Sequence, residues 1–300
     1  MKYEIKTTFY NSVSKFIVIF SVTLFAQDST ETEKDKWEWS WEIDEVEQWL
    51  YFGKKMPTIS LLYGITDVSD ESISDPLSDA NLLELQLGHT KRKTSRYAET
   101  FLKFNFKYLF LSYISSELTG GSENQNELNF RNWRFGFAGS NGYGYKLGKA
   151  AIILYSSYSY DWTKVDFTDT ADNESDQITL DRFEDGIRFG TSNAGGIKIV
   201  ATSLISLDVN YQRSIVFERH LFWKWAGSAV IEALANGLLD AFIKEIFKSS
   251  HQAGPIVNFL LKNALAYGIY ELRQGEMNWP FSSTPPLSFD SFRFGVAFTF

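Results

Sequence analysis

The final ten residues of the chain, SFRFGVAFTF, alternate between apolar residues and small or polar ones. Because successive side chains of a β-strand point to opposite faces, this segment predicts a strand with one continuous apolar row. The row consists of Phe292, Phe294, Val296, Phe298 and Phe300. At a sheet edge in water such a strand would pair with other chains, and terminal residues usually fray. In a membrane every backbone polar group needs a partner, so we expect this strand to close a β-barrel by pairing with the first strand.

The same alternation recurs from Thr58 onward and predicts an all-β, antiparallel up-and-down membrane barrel. Eight strands are expected, at 58–67, 81–90, 99–115, 127–139, 150–162, 186–200, 205–217 and 289–300. The segment SNAGG at 192–196 could instead be a turn, which would raise the number of strands to ten. Long acidic connections alternate with short ones such as the Gly-rich GSNGYGYKLGK, as the loops and turns of membrane barrels do.

The composition is compatible with such a barrel. Phe, Trp and Tyr make up 17% of the residues, which suits aromatic girdles at two membrane interfaces. The mean hydropathy of -0.20 excludes a bundle of transmembrane helices but not a barrel with alternating strands. The chain has no cysteine, which excludes disulfides, and its net charge of -8 argues against nonspecific nucleic-acid binding. No residue pattern indicates a cofactor or a metal site.

Residues 1–26 are expected to be a secretory signal peptide. Lys2, Lys6 and Lys15 precede or flank the apolar run FIVIFSVTLF, and Ala26 supplies a small residue at the cleavage site. Residues 27–57 form an acidic, Trp-rich N-terminal extension, whose early part is expected to be disordered because charge is high and aliphatic residues are scarce. The barrel is assigned to residues 58–300.

Residues 221–275 interrupt the strand pattern before the last strand. Apolar residues recur there at helical spacing in two segments, and Gly254-Pro255 marks the start of the second. Charged residues along both segments, among them Glu232, Asp240 and Lys262, argue against membrane-spanning helices. We therefore expect an amphipathic helical pair that covers the barrel mouth, the lumen or the lipid interface.

The signal sequence, the alternating strands and the C-terminal aromatic residue together resemble Gram-negative outer-membrane β-barrel proteins. The helical insertion departs from the simple small barrels of that family. The resemblance implies Sec export, a location in the outer membrane, and contact with outer-membrane lipids and lipopolysaccharide. It also implies that the barrel-assembly machinery reads the terminal apolar row, Phe292 to Phe300, as a β-signal.

Polar residues that alternate with the apolar rows are expected to face the lumen. The predicted lumen network comprises Glu84, Gln86, Lys103, Asn105, Lys107, Arg134, Lys198, Asp208, Asn210, Gln212 and Arg293, with basic groups outnumbering acids. A packed network of ion pairs and hydrogen bonds is one interpretation. A narrow, porin-like passage with a weak preference for anions, or a binding site for the acidic N-terminal segment, is the other.

Function is less constrained than fold. The leading hypothesis is a non-enzymatic barrel that is structural, binds a ligand of unknown identity, or forms a narrow passage. The alternative is a lipid-active enzyme that uses His220 with Glu218 beside it, although no GxSxG elbow accompanies that histidine. A secreted soluble β-sandwich that binds a partner is a third possibility. Trp223, Lys224 and Trp225 suit an anchor at the membrane interface.

Overall fold

The computed structural model describes residues 55–94, 100–119, 127–184 and 186–300. Within them, eight strands form a closed barrel. The strands are β1 (Met56–Ser69), β2 (Ala80–Thr94), β3 (Phe101–Ser115), β4 (Phe130–Leu147), β5 (Ala150–Phe167), β6 (Arg188–Val200), β7 (Ile205–Val216) and β8 (Leu287–Thr299). The helices are α1 (Glu174–Glu184), α2 (Phe222–Ser249) and α3 (Gly254–Gln274). The expected signal peptide and nearly all of the 27–57 extension lie outside the described residues.

Each strand pairs antiparallel with its sequence neighbours, and β8 pairs with β1 to close the barrel. The closing pair aligns Phe298 with Ile59, and the Phe300 amide donates a hydrogen bond of 2.9 Å to the Pro57 carbonyl. The expectation of an eight-stranded antiparallel barrel with helices before the last strand is therefore confirmed. The SNAGG segment lies within β6, so the ten-strand alternative is wrong.

The strands are longer than predicted at several ends, most clearly in β4. Its 18 residues include Gly139, Gly142 and Gly144, which were expected to form a compact connection. Gly142 and Gly144 face inward and leave space for neighbouring residues, since a Cβ at Gly144 would lie 2.8 Å from Cγ1 of Ile153. The turn itself is restricted to Gly148 and Lys149, with Gly148 at a φ of 65° that favours glycine.

The two ends of the barrel differ. At one end, which we call the turn end, the connections are short: 95–100, 148–149 and 201–204. At the opposite end, the loop end, the connections span 70–79, 116–129, 168–187 and 217–286. Helix α1 lies in the third of these loops, and its Phe183 packs in a buried cluster with Val68 and Phe289. Helices α2 and α3 lie in the fourth.

The outward-facing rows of most strands are apolar and exposed. They include Ile59, Leu61 and Ile65 on β1, Leu83, Leu85 and Leu87 on β2, Phe135 and Phe137 on β4, Leu207 and Val209 on β7, and Phe292 and Phe294 on β8. The inward-facing rows are buried and rich in polar residues, so the distribution is the reverse of that in a soluble sandwich. Val296 and Phe298 lie on the same outward face of β8, and Phe300 follows it.

Helices α2 and α3 form an antiparallel hairpin against the outer wall of the barrel. Helix α2 starts at the loop end, and Phe247 in its last turn contacts Tyr143 of β4, with ring centroids 4.5 Å apart. Helix α3 returns along the wall, where Asn263 donates a hydrogen bond of 3.0 Å to Ser156 of β5. The sequence predicted that the helical pair covers the barrel mouth, the lumen or the lipid interface. In the structure the hairpin covers the outer wall and neither mouth.

Candidate functional site

The centre of the lumen contains a buried network built around Arg293. Its guanidinium donates to Gln212 at 2.7 Å and to Asn210 at 2.8 Å, and lies 3.2 Å from the Glu84 carboxylate. Glu84 also accepts hydrogen bonds from Ser112 at 2.6 Å and Gln86 at 2.7 Å. The network thus joins β2, β3, β7 and β8 across the interior.

Arg134 of β4 extends this network to the opposite wall. It donates to Ser214 at 2.7 Å and to the same Gln212 oxygen at 3.1 Å, so Gln212 accepts from both arginines. Asp161 of β5 accepts a hydrogen bond of 2.7 Å from Ser192. The three charged residues Arg134, Asp161 and Arg293 have exposed fractions of 0%, 0% and 2%. Charges buried to this degree require partners. These contacts supply most of them, although Nε of Arg134 and Oδ1 of Asp161 have no hydrogen-bond partner among the described residues.

A second polar group lies nearer the turn end. Lys198 of β6 forms an ion pair with Asp208 of β7. Asp208 also accepts hydrogen bonds from the Tyr155 hydroxyl at 2.6 Å and from Asn210 at 2.9 Å. Through Asn210 this group connects to Arg293, so the Lys198–Asp208 group and the Arg293 group form one continuous network.

Apolar clusters close the interior on both sides of the network. Toward the turn end, Phe104, Phe106, Tyr108 and Phe110 of β3 pack with residues of β4, β5 and β6. Toward the loop end, Phe130, Phe183 and Phe289 belong to a second cluster, which α1 helps to cover. Side chains in both clusters and in the network between them are buried, so these parts of the described interior are filled largely by protein.

The prediction that Lys103, Asn105 and Lys107 face the lumen is wrong. These residues lie on the outward row of β3, and Phe104, Phe106, Tyr108 and Phe110 lie on the inward row. The register with β2 explains this, because Leu109 pairs with Leu87 and Leu111 with Leu85 in the apolar outer rows. The lysines continue that row toward the turn end.

The other predicted lumen residues lie on the inward face, and the network brings together Glu84, Gln86, Arg134, Asn210, Gln212 and Arg293, with Lys198 and Asp208 beside them. Sequence reasoning missed Asp161, although its alternation with Tyr160 and Trp162 indicated the inward row. With Asp161 included and the two β3 lysines outside, the buried lumen charges balance: Arg134, Lys198 and Arg293 against Glu84, Asp161 and Asp208. The predicted excess of basic groups is therefore wrong.

His220, the candidate for catalysis, lies in the loop between β7 and α2. Its ring packs against Phe189 and Trp225, with centroids 4.9 Å and 5.5 Å apart. Burial lowers the pKa of His220, which favours the neutral imidazole. Glu218, expected beside it, instead forms an ion pair of 3.6 Å with Arg182 of α1. The geometry supports a packing role for this histidine.

The predicted interfacial anchor lies at the start of α2, at the loop end. Trp223 is exposed, whereas Trp225 points toward the barrel and packs on Phe189 at a centroid distance of 5.7 Å. Lys224 donates to the carbonyl of Ser282 in the loop before β8. These contacts fix the first turn of α2 to the barrel, while the anchoring role in a membrane stays a prediction.

Comparison with solved structures finds eight-stranded barrels with low sequence similarity. Neisserial surface protein A aligns with a TM-score of 0.38 and 8% identity, covering 81% of this chain and 97% of that one. Ail, the attachment invasion locus protein of Yersinia pestis, aligns with a TM-score of 0.30 and 6% identity, covering 82% and 99%. No protein-family model and no curated protein sequence matches the chain. The strand pairing of this chain itself defines the topology of the barrel.

Proposed function

We propose that the protein is an integral outer-membrane β-barrel with a filled interior, which acts as a structural membrane protein and does not conduct solutes. The observation that supports this is the reversed polarity of the wall. Large apolar side chains such as Leu61, which is 56% exposed, line the outside, while paired charges are buried inside. In water the outer band would be a continuous apolar surface far larger than soluble proteins tolerate.

The closed barrel and the sequence resemblance support the proposed location. Closed barrels and helices are the structures that satisfy all backbone hydrogen bonds in hydrocarbon, and this barrel has no unpaired strand edge. Export would require residues 1–26 as a signal peptide, and assembly would use the outward row of β8 and Phe300. The proposed contacts are outer-membrane lipids and, at the acidic loop end, lipopolysaccharide.

Fractionation of a Gram-negative host that expresses the full chain tests this proposal. The protein should be found with the outer membrane after density-gradient separation and should migrate faster on gels before heating than after, as folded barrels do. Recovery in a soluble periplasmic fraction, with mobility unchanged by heating, would contradict the proposal and favour a secreted sandwich.

The terminal row can be tested in the same host. Replacing outward Phe298 and terminal Phe300 with serine should reduce the folded, heat-modifiable fraction if assembly machinery reads this row. Serine at Asp172, an exposed position in the loop before α1, is the matched control. Equal yields of both variants would argue against a β-signal without affecting the membrane assignment.

A further inference from the structure

One section of the outer wall is formed by small and polar residues. Asn105, Asn141, Ser156 and Gly195, on β3 to β6, are aligned by strand register into a single outward-facing row. Asn105 donates a hydrogen bond of 2.6 Å to Asn141 within this row, which we call the polar stripe. Acyl chains offer polar groups no hydrogen bonds, so a polar stripe on a lipid-facing wall requires a cover.

Helix α3 lies over the β5–β6 part of this stripe, at Ser156 and Gly195, whereas the Asn105–Asn141 pair is exposed. Asn263 donates a hydrogen bond of 3.0 Å to Ser156, and a Cβ added to Gly195 would lie 2.4 Å from Oδ1 of Asn263. Toward the turn end, the Tyr145 hydroxyl donates to the Gln252 carbonyl at 2.7 Å. Toward the loop end, Arg213 of β7 stacks on Tyr267 of α3, 4.4 Å from the ring centroid. The helix is therefore held to the wall along its length.

Three of the charges that argued against a membrane location, Glu232, Asp240 and Lys262, are paired within the hairpin. Glu232 of α2 lies 3.0 Å from Arg273 of α3, and these side chains are 12% and 4% exposed. Arg273 also donates to Ser228 at 2.9 Å. Asp240 of α2 lies 2.6 Å from Lys262 of α3. Pairing of this kind is how charged side chains are accommodated at membrane depth.

The face of α2 that points away from the barrel carries a row of apolar side chains in its middle turns. Leu234, Leu238 and Phe242 follow one another at helical spacing, and Leu238 is 76% exposed. Helix α2 is long and apolar enough to cross a membrane. Its 28 residues extend about 42 Å at ~1.5 Å per residue, against a hydrocarbon thickness of about 30 Å.

We propose that the α2–α3 hairpin lies inside the bilayer beside the barrel, with α3 covering Ser156 and Gly195 of the polar stripe and the outer face of α2 in contact with acyl chains. The hairpin continues the apolar band of the barrel across β4 to β6, so barrel and helices share one lipid-facing surface. The inference rests on the proposed outer-membrane function. It adds a specific occupant, lipid hydrocarbon, for the exposed face of α2.

Single cysteines in the full chain test the inference, because the sequence contains no cysteine of its own. Leu238→Cys probes α2, Leu61→Cys probes the barrel wall, and Glu174→Cys probes water at the loop end. The outer-membrane vesicles are opened so that the reagent reaches both surfaces of the membrane. A maleimide that does not enter the hydrocarbon should then modify Glu174→Cys and should fail to modify the other two. After bimane labelling and reconstitution, lipids brominated on their acyl chains should quench the labels on Leu238→Cys and Leu61→Cys.

The outcomes separate this inference from the proposed function. If Leu238→Cys reacts as fast as Glu174→Cys while Leu61→Cys stays protected, the hairpin lies in water and the inference is wrong, although the barrel remains in the membrane. If Leu61→Cys also reacts freely, the membrane assignment itself fails. If Leu238→Cys is protected but unquenched and forms disulfide-linked dimers, a second copy covers α2, which also overturns the inference.

Discussion

Arg293 of β8 links two other strands across the barrel interior, because it donates hydrogen bonds to Glu84 of β2 and to Asn210 and Gln212 of β7. Its removal would leave Glu84 charged and buried, with hydrogen bonds from Ser112 and Gln86 but no cation. Removing one member of a buried ion pair is far more destabilising than replacing both, since the remaining charge keeps its desolvation penalty.

We therefore expect Arg293→Met to lower the free energy of unfolding by about 3–5 kcal/mol. The double variant Arg293→Met with Glu84→Gln should recover a large part of that loss. Urea unfolding in lipid vesicles, followed by tryptophan fluorescence, measures both effects. Arg131→Met, at an exposed outward position on β4, is the control and should change stability by less than about 0.5 kcal/mol. Strictly additive effects of the two lumen substitutions would show that Arg293 and Glu84 are not coupled.

At the scale of elements, the position of α3 depends on a wall without a side chain at Gly195. Leucine at this position would displace Asn263 and the helix backbone behind it, because the added Cβ alone would lie 2.4 Å from the amide oxygen. Gly139 on β4 also faces outward, and a Cβ there would meet nothing within 4 Å. The two glycines form a matched pair with different surroundings.

Gly195→Leu should weaken docking of the hairpin by about 1–3 kcal/mol, the usual effect of overpacking. Limited trypsin digestion in detergent should cleave this variant faster after Lys262 than the unmodified chain, with the heat-modifiable mobility of the barrel retained. Gly139→Leu should be cleaved at the unmodified rate. Identical digestion of both variants would mean that α3 does not depend on close approach at Gly195.

Alternation alone predicts which face of a strand points outward only when one row is apolar and the other is polar. On β1, β2, β7 and β8 it is, and the predicted faces agree with the structure. On β3 both rows contain large apolar residues, so either row could have faced lipid. The inward row has the aromatic residues at alternate positions from 104 to 110, and the outward row has Leu109 and Leu111. Pairing with β2 decides the phase, and pairing is a long-range property.

The helical pair shows a similar limit. Its spacing predicted two helices and their apolar faces, but the partners of its charges are far away in sequence. Glu232 pairs with Arg273, and Asp240 with Lys262, only once the hairpin has formed. Reading each charge singly therefore argued against a membrane location that the paired arrangement permits.

At the scale of the whole molecule, the described barrel interior is occupied by two apolar clusters and the polar network between them. An ion would have to pass the aromatic cluster at the turn end, the paired charges and the cluster beneath α1. Small eight-stranded barrels have interiors just wide enough for side chains to fill, and this one follows that rule. The passage hypothesis requires a rearrangement of β3 aromatics that the structure does not contain.

We expect no stable conductance steps when the purified protein is reconstituted in planar bilayers. Deleting residues 222–274 should leave conductance at zero, because the hairpin covers the outer wall and neither mouth. An open porin reconstituted in parallel verifies the recording conditions. Reproducible unitary steps from the unmodified chain would contradict a filled lumen.

The β1–β8 pairing has a consequence for the order of folding. Thr58 and Thr299, whose hydroxyls contact across this pair at 3.4 Å, are separated by 241 residues in sequence. The chain must lose the conformational entropy of closing this long loop before the β1–β8 contacts can form, which makes the step slow. Neighbouring strands and the helices can form locally beforehand, so two bare backbone edges persist until the end of assembly. During that interval a chaperone that binds the two exposed strand edges would protect the chain from self-association. A more stable final barrel would give less protection, because it acts only after the edges have paired.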